Sequence, residues 1–108
     1  MEPKIIPELQ ERLVKYFLDA IVLFELKKSN RLIGYNVIEF LHKKFGMLVS
    51  PGTIYSLLYS MERKGLIKGD HEEGKRTYML TEKGANTIKA IIESKEEMQR
   101  FFQTLFAG

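Results

Sequence analysis

The sequence predicts a mainly α-helical fold with a minor β component: three helices, a two-stranded β hairpin, and a long last helix. Apolar residues recur at helical spacing through the first part of the chain. After Gly65 they alternate with polar residues, as they do in strands, and after Thr81 the helical spacing returns. With 108 residues, the chain is long enough for one domain with a single core.

The first two helices are separated by a short connector. Pro7 suits the start of a helix that runs to about Ser29, because no Pro or Gly interrupts the apolar pattern behind it. Residues 29–34 are predicted to form the connector. The second helix is predicted over residues 35–45, with Gly46 placed to end it in a left-handed conformation.

The third helix opens on an unusual segment, S50-P51-G52-T53. Ser50 is a natural N-cap, and Pro51 suits the first helical position, where its missing N–H would have no partner anyway. The helix is predicted to run to Lys64 and to stop at Gly65. Apolar residues at helical spacing predict its buried side: Ile54, Leu57, Leu58 and Met61.

Alternating residues predict the hairpin. The strands are expected over residues 66–70 and 76–80, joined by a loop over 71–75 with Gly74 in the turn. Three helices followed by a hairpin are the plan of a winged helix-turn-helix.

Thr81 is expected to cap the last helix, which reaches to about Phe106. We therefore expect residues 1–84, including the N-terminal helix, to form a winged helix-turn-helix DNA-binding domain. Residues 85–108 are expected to form a C-terminal dimerisation helix within the same compact domain.

The outer side of the third helix does not carry the Glu and Lys mixture of an ordinary exposed helix. Free backbone N–H groups beside a glycine let a phosphate approach a helix start, and hydroxyl groups and Arg contact phosphates or base edges. The alternative for each tyrosine is half-buried packing against a neighbouring element. The helix residues predicted to contact DNA are Ser50, Gly52, Thr53, Tyr55, Ser56, Tyr59, Arg63 and Lys64.

The middle of the chain is more basic than its ends. Between Lys27 and Lys83 eleven basic residues face six acidic ones, whereas the remainder carries six basic and eight acidic residues. This distribution favours an anionic partner for the middle. In the hairpin loop Lys75 and Arg76 are expected to contact DNA, although two neighbouring glutamates leave an ordinary solvated turn equally open.

Three segments resemble, in order, the signature of PadR-like transcriptional regulators. They are G34-Y35, the run from S50-P51-G52-T53-I54-Y55 to G65-L66-I67, and R76-T77-Y78-M79-L80-T81-E82-K83-G84. The resemblance covers roughly residues 20–84. It implies a homodimeric winged helix-turn-helix protein that binds double-stranded DNA and usually represses transcription. By this resemblance residues 50–64 form the recognition helix, residues 71–76 form the wing, and Tyr35 joins the DNA contacts.

Apolar residues of the first and last helices predict a homodimer interface. A last helix of roughly 25 residues is longer than a domain of this size can cover by itself, although packing on the chain's own core is the alternative. Two-fold symmetry would place two recognition helices ~34–36 Å apart on a pseudo-palindromic site. The predicted interface residues are Leu13, Phe17, Phe24, Ile88, Ile91, Ile92, Met98, Phe101, Phe102 and Leu105.

Several classes of function lack support in the sequence. The chain has no cysteine, and neither His42 nor His71 has a second ligand at metal spacing, so we expect no cofactor and no metal. No nucleophile motif or phosphate-binding loop is present, so we expect no enzyme. The apolar run I21-V22-L23-F24 is too short to cross a bilayer, and M1-E2-P3-K4 lacks a signal-peptide pattern. We expect a cytoplasmic protein without a membrane partner.

Two functions are weighed. The first is a dimeric regulator that binds specific DNA. The alternative is a winged-helix protein-interaction module without specific DNA binding, which the mixed charge of the hairpin loop leaves open. The resemblance also allows a small aromatic effector in an apolar cavity of the dimer.

Overall fold

A computed structural model describes residues 4–108, and it has the predicted mainly α architecture with a small antiparallel sheet. The first three residues, on which the signal-peptide expectation partly rests, lie outside the described residues. The elements in chain order are α1 (Ile5–Tyr16), α2 (Leu18–Ser29), β1 (Leu32–Ile33), α3 (Gly34–Phe45), α4 (Pro51–Arg63), β2 (Ile67–Glu72), β3 (Lys75–Leu80), α5 (Glu82–Glu93) and α6 (Lys95–Thr104).

The predicted first helix is two helices, so the expectation of one continuous helix is wrong. Phe17 leaves helical geometry at φ −103° and ψ 18° and separates α1 from α2. Helix α2 belongs to the core, where Leu18, Val22 and Leu26 are buried, whereas α1 buries no residue. The apolar residues keep the same helical spacing on both sides of the break, which is why periodicity does not reveal it.

The predicted last helix is also divided, at Ser94, and here the cause is local. The Ser94 hydroxyl donates to the Ile91 carbonyl at 3.0 Å, and the Ser94 N–H is shared between the carbonyls of Ala90 and Ile91. Serine side chains compete with the helix for backbone partners in this way. Helix α5 before the break buries Gly84 and Ile88, whereas α6 after it buries no residue.

The sheet has three strands, in the order β1-β3-β2. The predicted two-stranded hairpin is present as β2 and β3, and β1 adds a third strand that was not expected. The predicted connector contains β1, in which Leu32 pairs with Tyr78 and Ile33 with Thr77. A strand of two residues has no period, and it forms through a long-range partner, so no local pattern indicates it.

The hairpin is longer and more regular than predicted. Strands β2 and β3 extend through the expected loop to a two-residue turn at Glu73 and Gly74, with Glu72 paired to Lys75. Both turn residues have positive φ, 51° and 76°, as a type I′ turn requires. The expectation of Gly74 in the turn is confirmed, and that of a five-residue loop is wrong.

The core lies between α2, α3, α4, α5 and the sheet. Three of the four apolar residues predicted for the inner side of α4 are buried, Ile54, Leu58 and Met61, while Leu57 is only partly buried. Burial of each such side chain stabilises the fold by about 1.5–3 kcal/mol. Because this stripe fixes the rotation of α4, the opposite side of the helix faces outward.

Candidate nucleic-acid interface

Helix α4 begins with a capped and compact first turn. The Ser50 Oγ accepts the Thr53 N–H at 3.2 Å and lies 2.9 Å from the Thr53 Oγ1. Pro51 has no N–H, so Gly52 is the residue of this turn whose N–H finds no acceptor elsewhere in residues 4–108. A Cβ added to Gly52 would meet nothing within 4 Å, so the space beside the α-carbon of this residue is open.

The outer side of α4 presents the side chains that the sequence predicts for DNA contacts. Ser56, Tyr59, Arg63 and Lys64 are exposed, with Tyr59 63% exposed. The Arg63 guanidinium lies over the Tyr59 ring, 5.7 Å from its centre. The half-buried alternative therefore does not describe Tyr59. This face offers hydroxyl, phenol and guanidinium groups together, which are donors that phosphates and base edges accept.

Tyr55 has a second role inside the protein. Its ring packs on Gly34 at the start of α3, where an added Cβ would come within 2.5 Å of the Tyr55 Cε1. The half-buried alternative thus fits Tyr55, which is 50% exposed and presents only part of its ring to a ligand. Tyr35 follows Gly34 directly and is exposed, so both tyrosines lie at the junction of α3 and α4. The pairing with Gly34 was not predicted.

The end of α4 is tied to the start of α5. The Thr81 hydroxyl donates to the Gly65 carbonyl at 2.5 Å, and it also accepts the Gly84 N–H at 3.0 Å, which confirms the predicted cap. The Lys83 Nζ donates to the Lys64 carbonyl at 2.8 Å. The sequence indicated the cap but not the two bonds to the carbonyls after α4, because those partners are 16 and 19 residues away.

Arg76, predicted to contact DNA, is already paired. Its Nη2 donates to the Glu62 Oε2 of α4 at 2.6 Å, and this hydrogen bond raises the pKa of Arg76 above its ordinary value. The guanidinium also lies over the Tyr78 ring, 5.7 Å from its centre, and passes above Gly69 of β2. Sequence reasoning missed this role of Glu62, since the pair joins a helix to a strand and has no spacing signal.

Of the other charged residues at the tip of the wing, one is paired within residues 4–108 and two are not. Glu72 forms an ion pair with Arg31, which lies just before β1. Lys75 and Glu73 are exposed and form no ion pair with any other residue in the described range, 4–108. Of the two predicted wing contacts, Lys75 is therefore the one whose ammonium group is unpaired.

A groove runs between α4 and the hairpin. It encloses about 500 Å³ and is lined by Tyr55, Tyr59, Glu62, Arg63, Arg76 and Tyr78. Aromatic and cationic side chains thus border the space that separates the predicted recognition helix from the wing.

Most of the predicted interface residues lie at the surface. The prediction that Ile88 belongs to the interface is wrong, because Ile88 is 2% exposed and belongs to the chain's own core. Phe24 and Ile92 are partly buried against that core. The remaining predicted residues have exposed side chains: Leu13, Phe17, Ile91, Met98, Phe101, Phe102 and Leu105.

Other kinds of site find no support in the described part of the chain. Within residues 4–108 no three His, Cys, Asp or Glu side chains come together as a metal site. None of the helices between residues 5 and 104 is long and apolar enough to cross a membrane.

A compact core that presents one helix beside a β wing defines the class of winged-helix proteins. The model of the Transcriptional regulator PadR-like family matches residues 22–90, and the chain belongs to this family. The family is one of DNA-binding transcriptional regulators, so the chain is a regulator with a winged-helix fold. No curated protein matches the chain.

Solved structures of two transcriptional regulators and of one DNA-binding protein have a similar fold. A PadR-like transcriptional regulator from Bacillus cereus is 24% identical, with a TM-score of 0.74 over 90% of this chain and 98% of that chain. A transcriptional regulator from Clostridium thermocellum is 24% identical, with a TM-score of 0.72 over 89% and 96% of the two chains. A winged-helix DNA-binding protein from STIV is 22% identical, with a TM-score of 0.59 over 87% and 92%.

Proposed function

We propose that this protein is a sequence-specific repressor that binds a pseudo-palindromic site on double-stranded DNA as a homodimer. Helix α4 enters the major groove, and the wing approaches the adjacent backbone through Lys75. The contacts proposed on and beside α4 are made by Tyr35, Ser50, Gly52, Thr53, Tyr55, Ser56, Tyr59, Arg63 and Lys64.

The outer face of α4 is the observation that carries this proposal. Its side chains are exposed, and the one acidic residue of the helix, Glu62, is turned to the wing by its pair with Arg76. A basic guanidinium at Arg63 can read guanine, and the hydroxyl and phenol groups can contact phosphates. The first turn adds the Gly52 N–H, which has no acceptor within residues 4–108, at the positive end of the helix dipole.

Capture of sheared genomic DNA from the source organism at near-physiological salt tests the proposal. The wild type should enrich a few fragments that share a two-fold motif, and a variant with Tyr59→Ala and Arg63→Ala should lose them. A matched control is the double variant Arg12→Ala and Tyr16→Ala, which removes the same residue types at the same spacing from the exposed face of α1. Equal capture by the α4 variant would show that the assigned face is wrong.

The dimer part of the proposal rests on exposed apolar side chains. Phe101, Phe102 and Leu105 of the C-terminal segment and Leu13 and Phe17 near the end of α1 are exposed. Apolar residues of this size are rarely left together at the surface of a monomer. Sedimentation at several protein concentrations gives the oligomeric state, and a monomer at micromolar concentration would contradict the dimer.

The proposal includes neither an enzymatic activity nor a metal, and it keeps the expected cytoplasmic location because the ligand is chromosomal DNA. A small aromatic effector between the apolar helices of the dimer is a separate part of it. Saturable binding of flat aromatic compounds to the dimer, with a change in DNA affinity, is the expected result. No binding across a broad panel would remove the effector and leave the DNA function in place.

A protein-interaction module remains the competing function. The paired charges of the wing favour it, since Glu72 and Arg76 are both neutralised within the chain. The two functions differ in salt dependence, because each phosphate neutralised by the protein makes DNA affinity fall more steeply with salt. The interaction module would be favoured if duplex binding did not depend on salt, or if the protein did not bind the duplex.

A further inference from the structure

We propose that Arg76 is a positioning residue that sets the distance between the wing and the recognition helix through its ion pair with Glu62, and that it does not contact a DNA phosphate. This inference rests on the proposed DNA-binding function. It assigns the phosphate contact of the wing to Lys75 alone among residues 71–76.

The first support is that the Arg76 guanidinium is held on two sides. Its Nη2 donates to the Glu62 Oε2 at 2.6 Å, and its centre lies 5.7 Å from the middle of the Tyr78 ring. Arg76 belongs to β3 and Glu62 to the last turn of α4, so the pair bridges the groove between wing and helix. A phosphate would have to share the guanidinium with the Glu62 carboxylate, whose negative charge repels it.

The second support is Gly69, which makes room for the pair. Gly69 faces Tyr78 in the neighbouring strand, and a Cβ at this position would lie 2.6 Å from the Cζ, Nε and Nη2 of Arg76. Gly69 is not among the glycines with positive φ, so its backbone conformation does not require glycine. Space for the guanidinium is what the missing side chain provides.

The third support is the second ion pair of the wing. Arg31 binds Glu72 at the end of β2, while Glu62 binds Arg76 one residue into β3. Both strands are therefore attached, close to the turn, to elements outside the hairpin. Lys75 lies between these two attachments, and its ammonium group is left for the ligand.

The test measures the affinity of the dimer for its captured duplex as a function of salt. A protein that loses one phosphate contact loses about 0.9 from the slope of log affinity against log salt. Because the substitution is present in both protomers of the dimer, we expect Lys75→Gln to remove two phosphate contacts and to lower the slope by about 1.8. We expect Arg76→Gln and Glu62→Gln each to weaken binding about two- to fivefold, as for ion pairs of this exposure, with the slope of the wild type.

Gly69→Ala separates position from charge. It keeps every charged group, but its methyl group displaces the flexible end of Arg76 from Glu62, so we expect the same two- to fivefold weakening and an unchanged slope. Glu73→Gln is the matched control for Glu62→Gln, because it removes one negative charge from a wing residue with no ion pair within residues 4–108. Circular dichroism verifies each fold, and Glu62→Gln decides alone if Gly69→Ala does not fold.

Two results would overturn the proposal. One is an Arg76→Gln slope smaller by about 1.8, which identifies a phosphate contact in each protomer. The other is a gain of affinity in Glu62→Gln beyond that of Glu73→Gln, which means that Glu62 withholds Arg76 from DNA. If the wild type binds no duplex, the proposed function fails and this inference fails with it. If the wild type binds the duplex and a variant gives either of these two results, only this inference is overturned.

Discussion

The ring of Tyr55 packs directly on Gly34, so helix α4 touches the first turn of α3 at a position that has no side chain. Gly34 is buried although it begins α3. This contact fixes how closely the two helices of the helix-turn-helix approach each other, and it covers part of the Tyr55 ring.

Gly34→Ala should destabilise the protein and weaken DNA binding. Its Cβ would lie 2.5 and 2.7 Å from two ring carbons of Tyr55 and 2.9 Å from the hydroxyl oxygen, and overpacking of this kind costs about 1–3 kcal/mol. Urea unfolding measures the loss. Gly52→Ala is the control, since its Cβ meets nothing within 4 Å and its stability should change by under about 1 kcal/mol. If adding Tyr55→Ala does not relieve the Gly34→Ala loss, the contact is not its cause.

The elements with strong local signals were predictable from the sequence. Ser50 and Pro51 gave the start of α4, Gly46 gave the end of α3, and the apolar stripe gave the side of α4 that faces the core. The exposed face of α4 followed from the same stripe. In each case the residue that determines the structure lies within a few positions of the structure that it determines.

The features that escaped prediction depend on distant partners or on geometry without a local signal. The strand at Leu32 exists because Tyr78 pairs with it, and Arg76 is paired with Glu62, which lies 14 residues away on α4. The break at Phe17 has no helix-breaking residue, since Phe17 continues the apolar pattern. Ile88 was assigned to an interface because periodicity identifies an apolar face without naming the surface that covers it.

The cap of α4 gives a prediction that separates stability from binding. Ser50→Ala removes the acceptor of the Thr53 N–H and should cost about 1 kcal/mol of unfolding free energy. Ser50→Asp should keep the cap and the stability, because Asp caps as well as Ser. Its negative charge should nevertheless weaken DNA binding. Thermal unfolding and duplex titration together check both variants, and equal binding by Ser50→Asp and wild type would place DNA away from this turn.

Ile88 and Phe102 should respond oppositely to truncation. Ile88→Ala leaves a cavity in the core and should lower the unfolding free energy by about 2–5 kcal/mol. Phe102 is 50% exposed, so Phe102→Ala should weaken the proposed dimer by more than about 1 kcal/mol and disturb the protomer little.

Sedimentation equilibrium measures the dimer, and Leu48→Ala is the control for Phe102→Ala because this exposed residue lies in the loop before α4. A dimer constant unchanged in Phe102→Ala would move the interface elsewhere.

Thr81→Val should destabilise the protein by about 1–3 kcal/mol, because it removes both the cap of α5 and the donor to the Gly65 carbonyl. Thr87→Val is the matched control. The Thr87 hydroxyl bonds only within α5, to the Lys83 carbonyl at 2.7 Å, so its loss should leave DNA affinity unchanged. Thr81→Val, in contrast, should weaken DNA binding, because the bond to Gly65 aligns α4 with α5. Chemical denaturation and duplex titration compare the two variants, and equal DNA affinity would mean that this bond does not align α4.

The bond from Thr81 to Gly65 also has a consequence for the operator. If the C-terminal helices form the dimer, the hydrogen bond between Thr81 and Gly65 connects each α4 to the helices at the symmetry axis without a flexible linker. The distance and the relative rotation of the two α4 helices are then fixed by the protein. Inserting one base pair between the half-sites rotates one of them by about a tenth of a helical turn relative to the other. A rigid connection between α4 and α5 does not allow the second α4 to rotate with it. Such a dimer tolerates changes of base identity between its half-sites far better than a change in their number.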